Sequence, residues 1–142
     1  MSSVYSICVE VPKWGMIKRN EKGNIDYISP VPCPFNYGSV ENILGDDGDL
    51  QDAILLGERK EIRFCGNYKM VGKIYFIDQG RQDHKWIFSE TNTISRRDWM
   101  VLDGFFRIYA QIKRTTSLRT SQTSYEGIWC GSIHQYYLHV YY

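Results

Sequence analysis

Met70-Val-Gly-Lys-Ile-Tyr-Phe-Ile77 runs through Asp78-Gln-Gly-Arg-Gln-Asp83-His84 into Lys85-Trp-Ile-Phe-Ser89. β-branched and aromatic residues dominate both flanks, as in strands, and Gly80 supplies a turn between them. The reading is strand, loop, strand over 70–77 and 85–89. Asp78 ends the first strand. Asp83 and Lys85, two apart, share one face as the second begins. This unit makes the chain mainly β.

Upstream, Ala53–Leu56 is a short buried strand, and residues 61–65 form another. Residues 4–11 alternate, with Tyr5, Ile7, Val9 and Val11 on one face and Ser6, Cys8 and Glu10 on the other, and Pro12 closes them. Glu10 therefore stands at a strand end, placed to present a carboxylate. Lys22-Gly-Asn24 reads as a hairpin tip. Residues 29–38 hold Pro30, Pro32 and Pro34, so they form a stiff extended loop that fixes Asn36 and Tyr37.

Downstream lies one helix, from Ser95 to Arg114. Ser95 followed by Asp98 is a capping-box pattern with Asp in the Glu place. Leu102, Phe105, Phe106, Tyr109 and Ile112 then recur at helical spacing. Residues 115–124 read as a loop, and the aromatic tail ending at Tyr142 as a final edge strand or a sticky terminus. Strands followed by a helix predict an α+β fold, mainly β, built on a small antiparallel barrel. The 142 residues form a single domain, with 115–142 as an atypical C-terminal segment.

Seventeen Lys+Arg against sixteen Asp+Glu leave a formal net charge of +1, which points to neither nucleic acid nor an acidic membrane surface. No apolar run is long enough to span a bilayer, and the first residues lack the pattern of a signal peptide. Cys8, Cys33, Cys65 and Cys130 form no Cys-x-x-Cys pair and are read as reduced thiols of a cytoplasmic protein.

Chemistry concentrates in Gly45-Asp-Asp-Gly-Asp-Leu-Gln-Asp52, where Asp46, Asp47, Asp49 and Asp52 fall on a tight turn. Two carboxylates ~4 Å apart repel by roughly 4 kcal/mol at an effective dielectric near 20. A hard divalent cation is the natural counter-charge. With Asp78, Asp83 and Lys85 nearby, the pattern is a site for metal ions and a phosphate-type anion. An EF-hand fails on spacing, because aligning Gly48 with its loop glycine puts Ile54 where the closing Glu belongs. No P-loop is present, and His84, His134 and His139 have no zinc spacing. Carboxylate oxygens favour magnesium or manganese.

Pro32-Cys-Pro-Phe-Asn-Tyr-Gly38, then 45–52, then Val71-Gly-x₅-Asp78-x₄-Asp83-x-Lys85 resemble soluble family I inorganic pyrophosphatase in order and spacing. Glu10-Val-Pro12 and Phe105-Phe-x-x-Tyr109 also fit, so the resemblance covers roughly residues 7–113. It implies a closed five-stranded barrel with a flanking helix (about 95–114) and Mg2+-dependent hydrolysis of inorganic pyrophosphate, with Mn2+ as the alternative ion. It implies metal ligation by Asp47, Asp52, Asp78 and Asp83, Glu10 orienting metal-bound waters, and Asp49 as the proton acceptor. Lys18, Lys85, Tyr37 and Tyr109 would contact phosphate oxygens. Members are usually oligomers, so a homo-oligomer is expected. Neither nucleic acid nor membrane is an expected partner.

The chain departs from the family pattern at several places, among them Asn20, where an acid usually follows the first site lysine. Ala110 stands where a lysine usually follows the helix tyrosine, and Lys113, at i+4 from Tyr109, is the candidate replacement. The usual arginine ahead of Asn36-Tyr-Gly38 has no counterpart, with Arg19 or Lys22 as partial stand-ins. A relative that binds phosphate compounds without turnover, and a nucleic-acid-binding small barrel, are the alternative functions.

Overall fold

The computed structural model describes residues 4–19, 22–29, 31–46, 48–116 and 123–130. Asp47 and the tail after Cys130 lie outside them. In chain order the elements are β1 (Val4–Val11), β2 (Ile17–Arg19), β3 (Ile25–Ile28), β4 (Asn36–Leu44) and β5 (Leu50–Leu56). Then come β6 (Cys65–Asp78), β7 (Arg81–Gln82), β8 (Lys85–Ser89), α1 (Arg96–Thr116) and β9 (Ser124–Cys130).

β1, β4, β5, β8 and β6 pair in that order, and β6 pairs back onto β1 to close a five-stranded barrel. Closure removes the exposed edges an open sheet would carry. The barrel is mixed rather than antiparallel, because β5 and β8 run parallel. A parallel pair needs a crossover, and β6 and the short β7 hairpin supply it. β9 adds to β6 outside the ring, and β2 with β3 forms a separate ribbon.

β5 is buried on both faces. Ala53 and Leu55 pack with Ile7, Val9, Val40 and Phe88, while Ile54 and Leu56 pack with Ile74, Phe76 and Ile87 toward α1. Leu102, Phe106 and Ala110, at i+4 intervals, bring the helix onto that second face. Ser95 caps the helix as expected: its Oγ accepts the Asp98 N–H at 3.0 Å. Lys113 and Arg114 occupy the last turn, which suits the helix dipole.

Three expectations change. Residues 61–64 form a turn with Arg63 in the left-handed region (φ 70°), so β6 starts only at Cys65. The stretch from Asn36 is a full strand, because Gly38 lets β4 lie directly on β1: a Cβ there would stand 1.9 Å from the Cys8 carbonyl oxygen. Cys8 and Cys65 are bonded rather than reduced, since antiparallel pairing of β1 with β6 sets them opposite each other. Cys33 and Cys130 are free and buried.

Candidate functional site

Asp52 lies on the helix-facing side of β5, two residues before Ile54. The parallel register opposes Ala53 to Trp86, so Asp52 and Lys85 become neighbours. The Lys85 ammonium sits 2.9 Å from Asp52 Oδ2 and 2.7 Å from Asp83 Oδ2, with the residue only 4% exposed. Two carboxylates therefore share one buried lysine, and a net negative charge remains.

That imbalance shapes the acidities. Burial would raise Asp52, but the Lys85 ammonium outweighs it and keeps the carboxyl below its ordinary value. Burial lifts Asp83 to about 6 against the pull of Lys85, and the Asp52 charge adds to the lift. Burial, then the charges of Asp52 and Asp83, push the Tyr37 phenol well up, so it stays a hydrogen-bond donor. Its ring lies 5.9 Å from the Lys85 ammonium.

These groups open onto a cavity of about 650 Å³ between the barrel and α1. Glu10, Lys18, Tyr37, Asp49, Asp52, Asp78, Asp83, Lys85 and Tyr109 all line it. Residues up to 99 positions apart in the sequence thus line one cavity. Lys113 does not line the cavity. Its ammonium reaches Asp78 Oδ2 at 2.6 Å and lies 5.5 Å from the Tyr109 ring centre. Arg19 donates to the Gly23 carbonyl at 3.0 Å, is exposed, and is absent from the cavity wall, as is Lys22. Neither replaces the missing arginine.

Three supporting residues escaped the sequence reading. Ser39 donates to Glu10 Oε2 at 3.3 Å, and Thr123 donates to Asp78 Oδ1 at 3.3 Å. Gln51 donates to the His84 carbonyl at 2.6 Å, bracing the Asp52 strand against the Asp83 loop. Phe105 and Phe106, already in the helix stripe and the family motif, also form part of the cavity wall. The first three depend on strand register, which no local motif carries.

Glu10 Oε1 is shielded from solvent and accepts no hydrogen bond, although the Lys18 ammonium lies 3.2 Å away in ion-pair range. A buried carboxylate oxygen in that state, beside Asp49, Asp52 and Asp83, fits a hard cation taken up through oxygen ligands. A second cluster, Cys8, Glu41 and Cys65, lies outside this cavity, and its sulfurs are bonded to each other.

The family model for inorganic pyrophosphatase matches residues 7–125. The chain belongs to the inorganic pyrophosphatase family. A soluble inorganic pyrophosphatase from Oryza sativa subsp. indica is 30% identical over 93 residues, covering 60% of this chain and 44% of that protein. The chain thus spans less than half the length of that relative. The inorganic pyrophosphatase of Coxiella burnetii superposes with a TM-score of 0.73 at 20% identity, over 90% of this chain and 86% of that one. A truncated vacuolar soluble pyrophosphatase of Trypanosoma cruzi, in complex with PPi, gives 0.61 at 20% identity, over 88% and 60%. At such identities the superpositions establish the pyrophosphatase barrel alone. Among the described residues no helix is long and apolar enough to cross a membrane.

Proposed function

We propose that this chain hydrolyses inorganic pyrophosphate to two phosphates in the cavity beneath α1. The observation that carries the reading is the buried Lys85 held between Asp52 and Asp83 in a cavity whose other carboxylates are Glu10, Asp49 and Asp78. Such a site rejects a bare anion and accepts one that arrives with cations.

Asp52, Asp83 and Glu10, with Asp47, would hold magnesium, for which manganese can substitute. When bound there, the ions supply positive charge against the substrate oxygens and make water more acidic. Lys85 would then turn its ammonium from Asp52 and Asp83 to a phosphate oxygen. Tyr37 and Tyr109 donate phenolic hydrogens to the same anion, and Lys18 contributes a second ammonium. Asp49 takes the proton of the attacking water as the bridging P–O bond breaks. Phe105 and Phe106 close the wall against bulk water. The chain acts as a homo-oligomer. Exposed apolar pairs such as Ile17 and Ile28 on the β2–β3 ribbon, 40% and 57% exposed, support assembly.

The test is phosphate release from pyrophosphate with and without magnesium, with Asp49→Asn as control. Metal-dependent release that Asp49→Asn abolishes supports the reading. A folded protein that releases no phosphate with magnesium overturns it.

A further inference from the structure

Every lysine at this site rests on a carboxylate, but the pairings are unequal. Lys85 serves two acids, so charge remains for a cation to neutralise. Lys18 leaves Glu10 Oε1 without a hydrogen bond. Asp78 differs from both. Its Oδ2 receives the Lys113 ammonium at 2.6 Å, and its Oδ1 receives the Thr123 hydroxyl at 3.3 Å.

This arrangement is held from several directions. Thr123 is 2% exposed, and its Oγ1 in turn accepts the Gln79 N–H at 3.3 Å. The side chains of Lys113 and Asp78 are 19% and 20% exposed, so solvent screens the pair only in part. The Tyr109 ring, one helical turn back, lies 5.5 Å from the same ammonium. Ala110, at the position after that tyrosine, is 1% exposed in the core and brings no charge to the site. Lys113, outside the cavity wall, therefore places α1's cation on an acid that lines it.

We propose that Lys113 is a resident counter-cation for Asp78, standing where a divalent ion would otherwise bind, so that Asp78 does not ligate metal in this chain. Lys113 is then a positioning residue, and the site takes up one ion fewer than its carboxylates could hold. The inference rests on the divalent-metal reading above, but it concerns ion count rather than turnover. Removing the ammonium would leave a half-buried carboxylate with a single hydroxyl partner, a state that recruits a cation.

The experiment counts bound Mn2+ on the intact protein without substrate, from the loss of the free-ion paramagnetic resonance signal. Lys113→Met should bind about one more ion per chain, or bind its weakest ion at least about tenfold more tightly. Asp78→Asn alone should leave the wild-type isotherm unchanged, and combined with Lys113→Met it should cancel the gain. Lys113→Arg should restore the wild-type count. Loss of an ion in Asp78→Asn overturns the proposal, and that arm decides even if Lys113→Met does not fold. An unchanged isotherm in folded Lys113→Met overturns it too, as does a wild-type protein that binds no Mn2+. Phosphate release measured alongside separates the two readings. The predicted ion counts without release would sustain this proposal and sink hydrolysis; release with unaltered counts would do the reverse.

Discussion

Lys85 and Asp52 meet at 2.9 Å because β8 runs parallel to β5, not because of any nearness in sequence. Lysine at the start of one strand faces aspartate near the middle of another, and Asp83 closes on the same ammonium from the intervening turn. Replacing Lys85 by Met would leave two carboxylates facing each other without a counter-charge. Pyrophosphate hydrolysis should fall by about 10²-fold or more, as when a preorganised cationic or oxyanion donor is deleted. Lys85→Arg should not restore it, since a planar fork does not fit a pocket shaped for a point charge. Steady-state phosphate release checks both.

Asp83 makes the metal-free protein sensitive to mild acid in an unusual direction. Its folded pKa of about 6 lies above the ordinary 3.8, so the folded chain binds the extra proton more readily than the unfolded one. The stabilisation from that proton is present at low pH and is lost as pH rises through about 6. Denaturant midpoints of metal-free protein should show this loss, and Asp83→Asn should flatten it. Mn2+ affinity should move the opposite way, weakening by up to about tenfold per pH unit below about 6 as ion and proton compete.

Asn36 is fully buried and uses all its polar atoms. Its Oδ1 accepts the N–H groups of Lys13 at 3.1 Å and Lys60 at 2.9 Å, and its Nδ2 donates to the carbonyls of Leu55 at 3.3 Å and Glu58 at 2.8 Å. Asn36→Ala strands several of these backbone groups and should cost about 3 kcal/mol or more. Chemical denaturation measures the loss. Tyr37, next in the chain, should lose its register with the site, so activity should fall even in the folded fraction.

Gly38→Ala should be more damaging than its size suggests. The added methyl would meet the Cys8 carbonyl oxygen at 1.9 Å, and that atom is backbone in a paired strand. Either β4 shifts off β1 or the barrel opens, for a cost above about 3 kcal/mol. A large fall in melting temperature is the expected result.

Much of this fold is legible in the chain itself. β1, β5, β8 and most of β6 carry β-branched or alternating residues, and α1 announces itself through Ser95 and its apolar stripe. β4 was hidden, because Asn36-Tyr-Gly-Ser39 follows prolines and contains nothing β-branched, while its strand character comes from Gly38 lying against Cys8. The acids of the site were readable as clusters. Their partners were not: Thr123 stands 45 residues from Asp78 and Lys113 35 residues from it. Strand register and helix docking create those pairs, as they also set Cys8 against Cys65.

The parallel β5–β8 pair also fixes when the site can come into being as the chain folds. Asp52 and Lys85 are separated by 33 residues, and the chain between them runs through β6, whose first residues (Cys65 to Lys69) pair with β1 and whose next (Met70 to Ile74) pair with β8. Long loops close slowly, and the contacts that reward this closure arrive only at its end. The cavity is therefore expected to be completed late in folding. Substitutions at Asp52 or Lys85 should register in the unfolding rate and leave the refolding rate almost untouched.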